Sequence, residues 1–152
     1  MDKGGLIIIN KILKIFFKYS LLFSYGGMIY VIIELLYRQY SDVVMMFCGG
    51  LCFVLVGLLN EIFPQDKKCT PLLAQAFAGA FFIVTPIEYI FGCIFNRDYH
   101  IWDYRELPLN YNGQICLLFS LLWVVVCILA IILDDYLRYY IFNQNKPKYR
   151  LK

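Results

Sequence analysis

Two glutamates stand inside runs of apolar residues where a charge is costly: Glu34 within 19–37 and Glu88 within 72–95. Hydrocarbon cannot solvate a carboxylate, so an ionisable side chain at such a position faces a partner, a water-filled cavity or a transport path. Glu34 shares a helical face with Gly27, Tyr30, Tyr37 and Arg38, and Glu88 follows the pair Thr85-Pro86. Proline opens a helix at the carbonyl four residues back, and a broken helix beside an acid recurs in transporter sites. The chemistry open to the two acids is therefore binding of a proton, a cation or a polar substrate. The structural alternative is that each carboxyl anchors the bundle, bonded to Arg38, Arg97 or a tyrosine hydroxyl close enough to the interface to reach water.

A polar run, 96–114 (NRDYHIWDYRELPLNYNGQ), holds the next set of candidates. Trp102, Asp103 and Tyr104 form a polar-tipped aromatic group, and Pro108 and Asn110 turn the chain. Gln114 falls just inside the following apolar segment, within reach of the loop backbone or of an acid. Asp98, His100 and Asp103 are metal-ligand types, but one histidine at this spacing is more commonly hydrogen-bonded than coordinating, and no metal site is assigned. His100 has no serine or cysteine partner in a recognisable motif, so nucleophilic catalysis is not indicated. No glycine-rich loop with a phosphate-binding lysine occurs, and no cofactor is implied. Farther on, Asp134 and Arg138 can pair across one helical turn. With Asp135, Tyr136 and Tyr139 they make either a helix-terminal ion-pair cluster or a docking patch for a cytoplasmic partner.

The elements that must position these residues follow from composition. The chain has 152 residues, 61% hydrophobic and 16% charged. A soluble domain of this size has too little interior to hide so much apolar surface. Four apolar segments, 19–37, 43–63, 72–95 and 113–133, approach the roughly 20 residues that a helix needs to cross about 30 Å of hydrocarbon. Four such segments cannot close a barrel, and open sheet edges are not tolerated in lipid. The expectation is one domain, an all-α integral membrane protein built as a four-transmembrane-helix bundle. Residues 1–18 place Lys11, Lys14 and Lys18 on one face, as an amphipathic interfacial helix would; equally, they are the flank of the first span.

Of the 14 basic residues, only Arg38, Arg97 and Arg105 fall between spans one and two or three and four. The others collect at the opposite side, which the positive-inside rule makes cytoplasmic, giving an N-in/C-in topology with 96–112 external and 134–152 a cytoplasmic tail. That tail, polar from 143 onward, is expected to be loosely ordered. The net charge of +3 comes from lysines flanking apolar segments and not from a stripe among stacking aromatics, so no nucleic-acid partner is expected. Five of the six cysteines lie in or beside apolar segments and the sixth, Cys69, in the loop after the second, so neither a disulfide framework nor a zinc site is indicated. Ala74, Ala76, Ala78, Gly79 and Ala80 allow close helix packing. Besides the lipid bilayer, the expected partners are further copies of the chain or a heteromeric membrane or cytoplasmic partner.

The blocks Trp102-Asp103-Tyr104, Leu107-Pro108-Leu109-Asn110 and Gly113-Gln114-Ile115-Cys116, with the Ser120 to Trp123 step, resemble the signature of the putative ABC-transporter type IV (CmpB-like) family of bacterial membrane proteins. Glu34 and Gly49-Gly50 are compatible with it, and 131–138 resembles the end of short Firmicutes-type members. The resemblance implies a multi-pass component of the bacterial cytoplasmic membrane, non-catalytic and permease-like, that borrows an ATPase or oligomerises. Glu34, Glu88, Trp102, Asp103, Tyr104, Asn110 and Gln114 would then form its polar pathway. The alternatives are an oligomeric pore, or a scaffold that recruits a cytoplasmic partner through Asp134, Asp135 and Arg138.

Overall fold

Glycines let the first two helices touch. In the computed structural model, which describes residues 3–62 and 71–149, α1 (Lys3–Arg38) and α2 (Val43–Ile62) run antiparallel. Gly26 and Gly49 lie against the side chains of Phe53 and Tyr30, and Gly27 and Gly50 against the carbonyls of Met46 and Phe23, leaving no room for a Cβ. Small residues permit close van der Waals contact between helix backbones. Gln39, at φ 57°, ends α1, and Asp42 Oδ1 accepts the Val44 N–H at 2.8 Å to start α2. Residues 1–18 and 19–37, which the sequence divides into an interfacial segment and a span, belong from Lys3 onward to one unbroken helix.

The third helix, α3 (Leu72–Phe95), contains a π turn over Ala80–Val84. There the Thr85 N–H bonds the Ala80 carbonyl five residues back. The widened turn sits just before Pro86, which can neither donate a hydrogen bond nor tolerate an ordinary turn above it. The helix therefore passes its proline without ending, and its second half buries Glu88 and Gly92.

A two-stranded hairpin follows the polar loop: β1 (Asn110–Tyr111) pairs antiparallel with β2 (Ile115–Cys116), Asn110 opposite Cys116. Asn112 and Gly113 turn it at φ 51° and 63°, a backbone that Asn-Gly supplies with little strain. The hairpin uses residues that the sequence gives to the fourth span, so α4 begins at Leu117 and continues to Phe142. Asp134, Asp135 and Arg138 thus lie inside a helix and not in a tail. Asn143, at φ 52°, ends α4, with the Gln144 N–H on the Arg138 carbonyl at 3.2 Å. Beyond it the chain turns back and Tyr149 packs against the core, a contact that the polar composition of this stretch does not announce.

α3 and α4 run antiparallel, Gly79 beside Cys127 and Thr85 beside Ser120. With α2 they enclose a core of Val56, Leu72, Ala76, Ala80, Val124, Cys127 and Ile131. The fold is all-α apart from the hairpin, and α3 and α4, at 24 and 26 residues, are long and apolar enough to cross a membrane. The apolar part of α2, Val43–Leu59, is shorter. The end of the second apolar segment at Phe63, the loop residues Lys67, Lys68 and Cys69, and Arg150 and Lys152 lie outside the described residues.

Candidate functional site

The hairpin and the loop before it form a cap over one end of the bundle, and Asn96 is its hub. Fully buried at the end of α3, Asn96 accepts the Ile101 N–H at 2.9 Å and donates to the Trp102 carbonyl at 2.6 Å and to Gln114 Oε1 at 3.1 Å. Gln114 Nε2 returns a bond to the Asn96 carbonyl at 2.8 Å, and Trp102 Nε1 donates to the Gln114 carbonyl, also at 2.8 Å. Gly92 makes this possible: a Cβ there would occupy the position of the Gln114 amide. Each buried amide is thereby satisfied, which a buried polar group requires.

Glu88 lies beneath the cap, 3% exposed. Its two carboxylate oxygens accept from Tyr104 of the cap at 3.1 Å and from Trp123 Nε1 of α4 at 2.9 Å. Among the described residues no cation pairs with it. Burial, with Glu88 beside it, holds the Tyr104 phenol far above its ordinary range, so this hydroxyl stays a donor. The Tyr104 ring stacks on Phe119, centroids 4.6 Å apart.

Glu34 is differently placed. Arg38 Nη2 and Ser41 Oγ each reach it at 2.6 Å, and Arg38 also donates to the Ile101 carbonyl, tying α1 to the cap. Glu34 and Glu88 share no hydrogen bond. They border two adjoining cavities, of about 300 Å³ on the Glu88 side and about 370 Å³ on the Glu34 side, both lined by Tyr30, Ile33, Met45, Trp123 and Val126.

The other loop candidates face outward. Arg105 holds Asp103 at 2.7 Å and depresses its carboxyl below the usual range, while its guanidinium lies 4.1 Å from the centre of the Tyr99 ring. His100 Nδ1 is 2.6 Å from Asp98 Oδ1, and that bond likewise lowers the Asp98 carboxyl. No group of three His, Cys, Asp or Glu side chains able to hold a metal occurs among the described residues. Asn110 works as a turn residue: its amide donates to the Leu107 carbonyl at 2.7 Å and its oxygen accepts the Gly113 N–H at 3.1 Å.

At the other end of the bundle, Arg138 and Asp134 are 1% and 0% exposed and joined through Arg138 Nε. Glu61 of α2 adds a second carboxylate at 3.2 Å, and Gly57 leaves the space that the Asp134 carboxylate fills. Asp135 accepts from Tyr149 at 2.9 Å, and burial beside that carboxylate raises the Tyr149 phenol. Asp134 and Arg138 are therefore turned toward each other and Glu61, not toward a surface.

The structure thus gathers Glu88, Trp102, Tyr104 and Gln114 at one cap, sets Glu34 at its margin, and leaves Asp103 and Asn110 to shape the loop. Asn96, Ser41 and Trp123 complete the site without having been site candidates in the sequence. Asn96 had one available signal, a polar amide at the last turn of an apolar helix, and Trp123 belongs to the step that carries the family resemblance. Ser41 had none without the fold.

A model of the putative ABC-transporter type IV family matches residues 14–150. No curated protein and no solved structure matches the chain.

Proposed function

The chain belongs to the putative ABC-transporter type IV family, and from that premise we propose that it is a non-catalytic integral membrane subunit of a transport assembly, driven by an ATPase on another chain. The observation that carries this reading is Glu88. A carboxylate buried among apolar helices, bonded only by neutral donors and bordering a cavity, is expensive unless something uses it. In an inert bundle Glu88 would more cheaply be glutamine or leucine. Glu34, Trp102, Tyr104 and Gln114 complete the pathway, with Asp103 and Asn110 shaping its lid.

The topology that fits is four spans with both termini in the cytoplasm. α1 and α2 run antiparallel, as do α3 and α4, and Arg38, Arg97 and Arg105 all fall at the cap end. The cap is then external and the Asp134–Arg138 cluster cytoplasmic, in the plasma membrane of a bacterium. The assembly contains further copies of this chain or a heteromeric partner. The scaffold alternative loses ground because Asp134 and Arg138, which would do the docking, are engaged inside the bundle.

The test is complementation. A deletion strain regains its phenotype with the wild-type chain and not with Glu88→Gln, although the variant inserts and assembles at the same level. Full rescue by Glu88→Gln would remove the pathway.

A further inference from the structure

The two cavities differ in chemistry along their length. Around Glu34 and Glu88 the walls are aromatic: Tyr30 and Trp123 line both cavities, rings tilted 35° with centroids 5.9 Å apart, and Tyr104 and Trp102 close the top. Away from the cap the first cavity is apolar, bounded by residues such as Val56, Leu129 and Leu133. Among the described residues the charges do not balance: two carboxylates border the cavities with one guanidinium, that of Arg38. Arg38 is partly occupied, Nη2 on Glu34 and Nη1 on the Ile101 carbonyl, while Nε is buried without a partner. An anion entering here would meet a guanidinium already paired with Glu34, and an excess of negative charge. A cation would find Glu88, held by the Tyr104 hydroxyl and the Trp123 indole N–H, in a cavity that Tyr30 and Trp123 also line.

We propose that the paired cavities bind an organic cation with an apolar tail, the ammonium group resting against Tyr30, Trp123 and Glu88 and the tail running toward Val56 and Leu133. The electron-rich face of an aromatic ring attracts a cation, most strongly where water is excluded, and quaternary ammonium groups are the usual beneficiaries. Each volume falls within or close to the range of about 300–1,000 Å³ typical of small-molecule sites. An amphiphile matches the sequence of surfaces: ammonium at the carboxylates, hydrocarbon along the apolar wall. The proposal rests on the reading of this cavity as the transport pathway and names the class of compound that it takes.

The chain contains only two tryptophans, Trp102 and Trp123, and both line the cavities, so its own fluorescence reports occupancy. The protein is placed in nanodiscs of phosphatidylglycerol, whose headgroup carries no ammonium. It is titrated with decyltrimethylammonium, decyl sulfate and decanol. The expected result is a saturable change in tryptophan emission with the ammonium compound, at least tenfold tighter than with either of the others. Glu88→Gln weakens the ammonium response about tenfold while helicity and oligomeric state stay constant. Should that variant fail to assemble, Tyr30→Leu carries the test, since it removes an aromatic wall and leaves Glu88 in place; Tyr30→Phe retains the ring and the binding. Equal responses to the three compounds, stronger binding of the sulfate, or unaltered affinity in both Glu88→Gln and Tyr30→Leu overturns the proposal. No ammonium binding together with failed complementation by Glu88→Gln overturns the ligand class and leaves the pathway standing. Intact ammonium binding with full rescue by Glu88→Gln does the reverse.

Discussion

The two ends of this bundle each bury carboxylates, and they solve the problem in opposite ways. At the tail end, Asp134 meets a guanidinium, Arg138 receives a second carboxylate from Glu61, and the space beside them is filled because Gly57 yields it. At the cap end, Glu88 meets a phenol and an indole, and the space beside it is open. Charge compensated by charge in a filled site is a structural joint. Charge compensated by neutral donors beside a cavity leaves binding capacity unspent. The difference teaches that burial of an acid does not by itself mark function; what matters is whether an opposite charge answers it in a filled space, as at the tail end even with Asp134 Oδ1 and Arg138 Nη2 left without a hydrogen bond.

The largest effect expected from this contrast is at the tail end. Removing one member of a buried ion pair strands the other, at about 3–5 kcal/mol. Arg138→Met should therefore lower the unfolding temperature sharply or prevent accumulation in membranes. Asp134→Leu added to it should recover much of the loss, since an apolar pair of similar volume can replace a buried ion pair. A single variant as stable as wild type in thermal unfolding would break the assignment of this cluster as a joint.

Second in size is Asn96→Ala. It orphans the Ile101 N–H and the Gln114 amide oxygen in a site sealed from water, and an unsatisfied buried group costs about 1–3 kcal/mol. The loss should loosen the cap and shift Trp102 emission toward the red, because Trp102 Nε1 is bonded to the Gln114 backbone that Asn96 positions. An unchanged emission spectrum would show that the cap is held by other contacts.

How far the sequence reveals this contrast depends on the range of each interaction. The helices are legible because their apolar runs are long, and the Asp134–Arg138 pair because its members stand one turn apart. Glu34 meets Arg38 for the same reason, and that partner is among those its neighbourhood offers. Glu88 draws its tyrosine from the polar loop. Glu61 is not legible as the third member of the tail cluster, since it lies 77 residues from Arg138 and no local pattern joins them. The start of α4 is misplaced by the sequence because an apolar count runs straight through Ile115 and Cys116. The Asn112-Gly113 pair was the signal for a hairpin there. The roles of Gly57 and Gly92 are invisible for a different reason: a glycine that accommodates a distant side chain looks identical to one that packs against a helix.

Gly57→Ala measures how full the tail end is. Its new Cβ would overlap the Asp134 carboxylate, and overpacking of this kind costs about 1–3 kcal/mol. Gly5→Ala is the matched control, with nothing within 4 Å of the added methyl. Alanine in an exposed helix should stabilise there by about 0.5–1 kcal/mol. A comparable response at the two positions in thermal unfolding would erase the claim that the tail cluster is filled.

The smallest stability effect, and the sharpest division between the two ends, belongs to Glu88→Gln. The amide oxygen can still accept from Trp123 or from Tyr104, so one hydrogen bond at most is lost, about 1 kcal/mol. Removing the charge from a buried site that no cation among the described residues pairs with relieves a desolvation cost that offsets part of that loss. The tail end offers no such substitution, because an amide at Asp134 would leave Arg138 with only the more distant Glu61. Glu88→Gln should therefore unfold within a few degrees of wild type and yet fail in complementation, whereas Asp134→Asn should fail in both measurements together. Function lost without stability is what a binding carboxylate gives. If Glu88→Gln instead falls in step with Asp134→Asn, the two ends are the same kind of joint, and the open space beside Glu88 is merely unfilled.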